Sequence, residues 1–213
     1  MKIAIRAERP ADLDAVRHVH TAAFADDGLV ADLVASLRST PAVLAPVSFV
    51  AVSSEERPPQ GHSPVPDAGD ATGQVVGHVM LSASRLDAPP RLVDVYVLSP
   101  LGVLPGFQSQ GIGTALIRHA LAAAGDLTAP LVFLEGSPDY YGKRGFERAG
   151  DLGFRRPSLR IPAEAFQVVR MPGYAAWMTG TLVYSEPFWA HDCVGLREPS
   201  AARPRLSETA APE

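Results

Sequence analysis

Gln108-Ser109-Gln110-Gly111-Ile112-Gly113-Thr114 is the segment whose residue types and spacing point most directly to chemistry. Its two alternating glycines let backbone amides approach a ligand with no Cβ in the way. Ile112, Leu116, Ala120 and Ala123 then repeat at helical spacing, so the glycines stand where a helix begins. Amides in the first turn of a helix lack carbonyl partners, and the positive end of the helix dipole lies behind them, which suits a phosphate. A tight strand-to-helix turn with no ligand explains the same glycines. A dinucleotide site is a third reading, because Glu135 ends a downstream strand where a ribose-binding acid would sit. Against that reading, Leu116 stands in place of a third glycine, and the bend comes after two helices and several strands, whereas that fingerprint usually opens a βαβ domain.

Elements must hold this bend and the other reactive side chains. Lys2 to Arg6 alternates as a short strand. Pro10, Asp12 and Asp14 mark a helix start, and Leu13, Val16, Val19 and Ala23 carry the helix to about Phe24. After Asp26-Asp27-Gly28, the positions of Leu29, Leu33, Val34 and Leu37 predict a second helix up to Ser39-Thr40-Pro41. Strands are predicted at Phe49 to Val52, Gln74 to Leu81 and Leu92 to Leu98, the last with Val93, Val95 and Val97 on one face and Asp94 and Tyr96 on the other. Ser99-Pro100 removes a ladder donor and predicts a bulge or kink before Leu101-Gly102-Val103-Leu104. A helix over about 111–124 and strands at Leu131 to Leu134, Ala165 to Met171 and Thr181 to Tyr184 complete the pattern. Residues 53–73 hold four prolines, three glycines and no aromatic residue, and read as a disordered insertion in a hairpin. The expected organisation is one domain over 1–190 and a flexible tail over 191–213.

The chain has 213 residues, 46% of them hydrophobic and 20% charged, which favours one compact domain. A formal charge of −4 and a pI near 5.9 exclude the electrostatic footprint of a duplex-binding protein and suit a cationic substrate. The longest apolar run, Ala120 to Ala124, falls far short of the ~20 residues a spanning helix needs, and the segment Met1 to Arg9 carries charges and is not signal-like, so a cytoplasmic protein with no membrane partner is expected. Cys193 is the single cysteine and the six histidines lack ligand spacing, so no metal is expected.

The bend resembles the pyrophosphate loop of the Gcn5-related N-acetyltransferase (GNAT) superfamily, Gln/Arg-x-x-Gly-x-Gly/Ala, through Gln108, Gly111 and Gly113. Val103 to Phe107 is similar to the strand end and Pro-x-aromatic step that precede that loop, and Tyr140 to Phe146 resembles the family's Tyr-x-x-x-Gly-Phe element. Pro138 to Phe146 and Gly180 to Tyr184 look like the YhbS-like branch, and the resemblance spans roughly Met1 to Trp189. It implies an α/β (α+β) GNAT fold, a mixed central sheet with splayed strands 4 and 5 flanked by helices. It also implies acetyl-CoA as acyl-donor cosubstrate. Leu101, Gly102 and Val103 would then flank the pantetheine arm, and Gln108, Ser109, Gln110, Gly111, Ile112, Gly113 and Thr114 would hold the diphosphate.

In the implied reaction an amine attacks the thioester carbonyl directly, a backbone N–H near Val103 steadies the oxyanion, and Tyr141 returns a proton to the departing thiolate. With a thiol near 8.5 and a tyrosine near 10, that transfer is uphill by about 2 kcal/mol. Tyr140 is expected to pack inward. Glu135, His78 and Asp94 are candidates for the base that deprotonates the amine, but none is assigned, and a solvated carboxylate or a satisfied core histidine is the simpler reading of each. Asp26 and Asp27 either attract a cationic acceptor or cap the second helix. Ser137 replaces an acidic residue frequent in close relatives, and Phe154 to Phe166 is a candidate cover for the acceptor side. The implied partners are acetyl-CoA and an amine-bearing small molecule or protein, with no nucleic acid; a homodimer is possible. A non-catalytic acyl-CoA sensor is a second class of function, and the nicotinamide enzyme a third.

Overall fold

The computed structural model of the chain describes residues 2–54 and 73–195. Most of the expected insertion and the chain after Gly195 lie outside the described residues.

Strand β1 (Lys2–Ala7) leads through one turn of 3-10 helix into α1 (Leu13–Phe24), and α2 (Leu29–Ser39) follows. Aspartates fix both helix starts. Arg6 donates two hydrogen bonds to the Asp12 carboxylate, at 2.6 and 2.8 Å, and the Arg9 N–H donates a third at 2.7 Å. Asp26 accepts from the Gly28 and Val30 amides at 3.2 and 3.0 Å, so it caps α2.

The sheet contains β2 (Val47–Ser54), β3 (Gln74–Ala88), β4 (Arg91–Val103), β5 (Leu131–Glu135), β6 (Glu147–Arg148), β7 (Phe154–Arg155), β8 (Phe166–Arg170) and β9 (Gly180–Val183). Its order is β1-β2-β3-β4-β5-β8-β6, and β9 joins the far end of β3 to β7. The pairings are antiparallel except β4 with β5 and β7 with β9. This is the mixed sheet expected from the sequence, with differences in extent. Ser53 and Ser54 belong to β2, paired with Ile3 and Lys2, so they are not part of an irregular insertion. Strand β3 continues past Leu81 to Ala88. The serines at 82 and 84 interrupt its apolar run, but the ladder with β4 satisfies the backbone, and the Ser82 hydroxyl donates to the Val97 carbonyl.

Val79 pairs with Leu101 and Leu81 with Leu98, so Ser99 and Pro100 together face Met80. This is the bulge the proline predicts, one extra residue that bends β4. Helix α3 (Ile112–Asp126) covers one face of the sheet here, since a Cβ on Gly77 would meet Leu116 and Ile112; α1 covers the other, since a Cβ on Gly102 would meet His20 and Val19. Val95, Tyr96, Val97 and Leu98 are consequently all buried, so both faces of the strand are covered here.

After β5 come the short helix α4 (Pro138–Tyr141), a 3-10 turn to Arg144, and the two-residue strands. Phe133 stacks on Phe166 and meets Phe154 edge-on, at 5.6 and 5.1 Å, so both ends of the segment from Phe154 to Phe166 are anchored in the core. Helix α5 (Glu186–Ala190) is followed by packed chain. Val194 is fully buried and the Gly195 N–H donates to Glu135 at 3.0 Å, so the expectation of a flexible tail from residue 191 is corrected as far as Gly195.

Candidate active site

Strands β4 and β5 share a ladder of only two pairs among the described residues, Tyr96 with Val132 and Val97 with Phe133. Strand β5 goes on pairing with β8, whereas β4 continues to Val103 bonded to β3 alone. The two strands therefore part on the β5-facing edge of Leu101 to Val103. A cleft of about 600 Å³ lies beside Leu101 and Val103 and reaches to the start of α3.

The bend closes this cleft. The Gln108 side-chain amide donates to the Val103 carbonyl at 3.0 Å and ties the loop to the end of β4. Ser109 and Gly111 then take left-handed backbone conformations, φ 61° and 82°, which turn the chain into α3. The first intrahelical bond runs from the Ala115 N–H to the Gly111 carbonyl at 3.0 Å, leaving the amides of Ile112, Gly113 and Thr114 ahead of it. The glycines have different work. Gly111 supplies a positive φ, whereas Gly113 supplies room, because a Cβ there would run into the Tyr140 hydroxyl.

The wall facing α3 is built by α4 and the turn after it. Arg144 donates to the Thr114 hydroxyl at 3.0 and 2.6 Å and to the Tyr140 carbonyl, and its guanidinium lies 3.5 Å over the Tyr140 ring. A fixed cation thus sits beside the open amides of α3, the arrangement that anionic oxygens require. Tyr141 packs edge-on to Tyr140 and Phe146, at 4.9 and 5.8 Å, and fills the space left by the missing Cβ of Gly136, just after β5. One tyrosine therefore stands at the bend and the other at the mouth of the strand opening. Burial, together with the neighbouring Tyr140, pushes the Tyr141 phenol up to about 12 against the pull of Arg144.

Of the residues expected from the sequence, Leu101, Val103, Gln108, Ser109, Gly111, Ile112, Gly113, Thr114 and Tyr141 line this cleft. Gly102 faces α1 on the other side of the sheet, and Gln110 turns away to donate to the Gly106 carbonyl at 3.2 Å. Tyr140 does not pack inward; it lines the cleft with Phe107 and Arg144. Arg144 lies one helical turn after Tyr140, and that spacing was the signal available for the pair.

The base candidates divide sharply. Asp94 pairs with Arg85 at 3.6 Å near the far end of β4. Glu135 accepts from the Tyr184 hydroxyl at 2.9 Å and from Gly195, so both its oxygens are engaged. Burial nevertheless raises its carboxyl, against the opposing effect of those bonds. His78 is fully buried and bonds to Glu8 and His20. A ribose-binding role for Glu135 fails on the same contacts, since both its oxygens are already engaged.

The model of the acetyltransferase (GNAT) family matches residues 34–146, just over half of the chain. The chain belongs to the GNAT family. Among curated proteins, the uncharacterized N-acetyltransferase YjhQ of Escherichia coli K12 is 33% identical over 93 residues, 43% of this chain; the match spans about half the length of that relative. Two solved GNAT structures resemble nearly the whole chain. YhbS of Escherichia coli, in complex with CoA, aligns with a TM-score of 0.69 at 25% identity, covering 88% of this chain and 92% of its own. A GNAT acetyltransferase of Brucella melitensis, in complex with acetyl-CoA, aligns with a TM-score of 0.63 at 27% identity, covering 88% and 98%.

Proposed function

We propose that this GNAT chain transfers the acetyl group of acetyl-CoA to an amine by direct attack. The observation that carries the reading is the continuous path from the unpaired β4 edge at Leu101 and Val103 to the open amides of Ile112, Gly113 and Thr114, with Arg144 beside them. A peptide-like pantetheine arm would hydrogen-bond to a strand edge as another strand does, and a diphosphate would accept from helix-start amides. The CoA and acetyl-CoA complexes of the YhbS and Brucella melitensis structures support the same donor here.

In this reading the Val103 region supplies an N–H to the carbonyl oxygen where negative charge develops, and Tyr141, at the strand opening, donates its phenolic proton to the leaving thiolate. Tyr140, Thr114 and Arg144 shape the diphosphate end and take no part in bond breaking. The acceptor is an amine-bearing small molecule or protein. The proposal includes a cytoplasmic setting and a homodimer as one arrangement open to the chain; among the described residues no helix is long and apolar enough to cross a membrane.

The test is release of free CoA thiol from acetyl-CoA with a panel of primary amines, alongside calorimetric titration with acetyl-CoA and NAD. Acetyl-CoA should bind in preference to NAD, and at least one amine should release thiol. Binding with no thiol release from any amine would instead indicate an acyl-CoA sensor.

A further inference from the structure

A single guanidinium joins the two ends of the cofactor cleft. Arg144 donates from Nε and Nη2 to the Thr114 hydroxyl, at 3.0 and 2.6 Å, and from Nη1 to the Tyr140 carbonyl. Its central carbon lies 3.5 Å over the Tyr140 ring. All of these partners are uncharged, so they fix the cation without neutralising it. Thr114 is the third residue of α3, and its hydroxyl accepts both bonds from Arg144, which leaves its own proton to point elsewhere. Guanidinium, hydroxyl proton and helix-start amides therefore stand together where a diphosphate would lie.

The same guanidinium also acts on the backbone of the proton donor. The Tyr140 carbonyl belongs to the peptide that links Tyr140 to Tyr141, so Nη1 sets the orientation from which the Tyr141 side chain departs. The Tyr140 ring meets Tyr141 edge-on at 4.9 Å, while its hydroxyl lies where a Cβ of Gly113 would be. Helix α4 has only four residues and runs straight into the 3-10 turn that carries Arg144. A helix of one turn holds little by itself, so its position depends on such ties. Burial and Tyr140 push the Tyr141 phenol up and Arg144 draws it down, which shows that the cation's field reaches the donor too.

We propose that Arg144 is a positioning residue through which the diphosphate of the acyl donor sets the place of Tyr141. The idea rests on the acetyltransferase reading. A diphosphate on the α3 amides accepts from Nε and Nη2 together, and the planar guanidinium, pinned along that edge, keeps Nη1 on the Tyr140 carbonyl. Without the diphosphate, that edge is anchored by one exposed hydroxyl. Binding energy from a remote part of the donor is thus used at the thioester and appears in kcat.

The test compares acetyl-CoA with S-acetylpantetheine, which has the same thioester and arm but no diphosphate, by thiol release from the full chain with spermidine, benzylamine and lysine amide. Wild type should show a kcat about tenfold lower with S-acetylpantetheine, and saturating ADP should restore most of it by filling the diphosphate site. Arg144→Leu should lower kcat with acetyl-CoA about tenfold, and saturating ADP should not raise its rate with S-acetylpantetheine. Arg144→Lys, which keeps the charge but not the fork, should recover affinity for acetyl-CoA by calorimetry and leave kcat low. A loss confined to KM in Arg144→Leu, or a gain from ADP equal to that of wild type, overturns the proposal and leaves the acetyltransferase reading standing. Spectra of ¹³C-labelled tyrosine read the coupling without turnover, with the Tyr141 signal identified by its loss in Tyr141→Phe. ADP should shift that signal in wild type and not in Arg144→Leu; a signal that ADP leaves in place in wild type overturns the proposal. Wild-type protein that binds acetyl-CoA and acetylates none of the three amines overturns the acetyltransferase reading, and the Tyr141 signal then decides the coupling by itself.

Discussion

A phenol that protonates a thiolate must be near it and not much weaker as an acid. Tyr141 has the position, at the opening between β4 and β5, but burial raises it to about 12, so transfer to a thiolate near 8.5 is uphill by about 5 kcal/mol instead of the 2 expected from an ordinary tyrosine. A thiolate leaving into the same buried cleft is raised as well, which narrows the gap. The residue should therefore matter to the chemical step and little to binding. Tyr141→Phe should lower kcat by 10²-fold or more in the thiol-release assay, with KM for acetyl-CoA unchanged. Turnover equal to wild type would remove Tyr141 from this role. Tyr140→Phe should affect cofactor affinity more than kcat, because its hydroxyl sits at Gly113.

At the scale of elements, the start of α3 is useful because α4 and its following turn press against it. Arg144 joins the two through Thr114, and Gly113 leaves the space in which the Tyr140 hydroxyl lies. Gly113→Val should weaken acetyl-CoA binding about 10- to 100-fold by calorimetry, because the added side chain displaces Tyr140 and one or more charge-assisted bonds to the diphosphate are lost. Gly150→Ala, where a Cβ meets open space far from the cleft, is the control for glycine replacement and should leave affinity unchanged. Wild-type affinity in Gly113→Val would mean that the diphosphate does not lie on this helix start. The bulge at Ser99-Pro100 belongs to the same scale: it bends β4 just before the edge that β5 leaves open.

In the whole molecule, the sheet separates a cofactor cleft under α3 from the groove between α1 and α2, and β4 is the partition. What could be read from the sequence depended on how local its cause was. The glycine bend, the proline bulge and the Asp26 cap follow from neighbouring residues, and all three stood out in the chain. The extent of β3 did not, because cross-strand pairing overrides the serines at 82 and 84. Nor did the inward course of the chain to Gly195, which depends on a bond to Glu135, 60 residues earlier. His78 was visible as a candidate base, but its partners His20 and Glu8, 58 and 70 residues away, leave no periodic trace in the sequence.

The central claim is that helix-start amides and a neighbouring strand edge hold the donor, and a crystal structure of the full chain with CoA tests it most directly. It should show the diphosphate accepting from the amides of Ile112, Gly113 and Thr114, with the pantetheine arm along Leu101 to Val103 and its sulfur near Tyr141. A diphosphate bound anywhere else, or an arm that does not enter the opening between β4 and β5, would contradict the account.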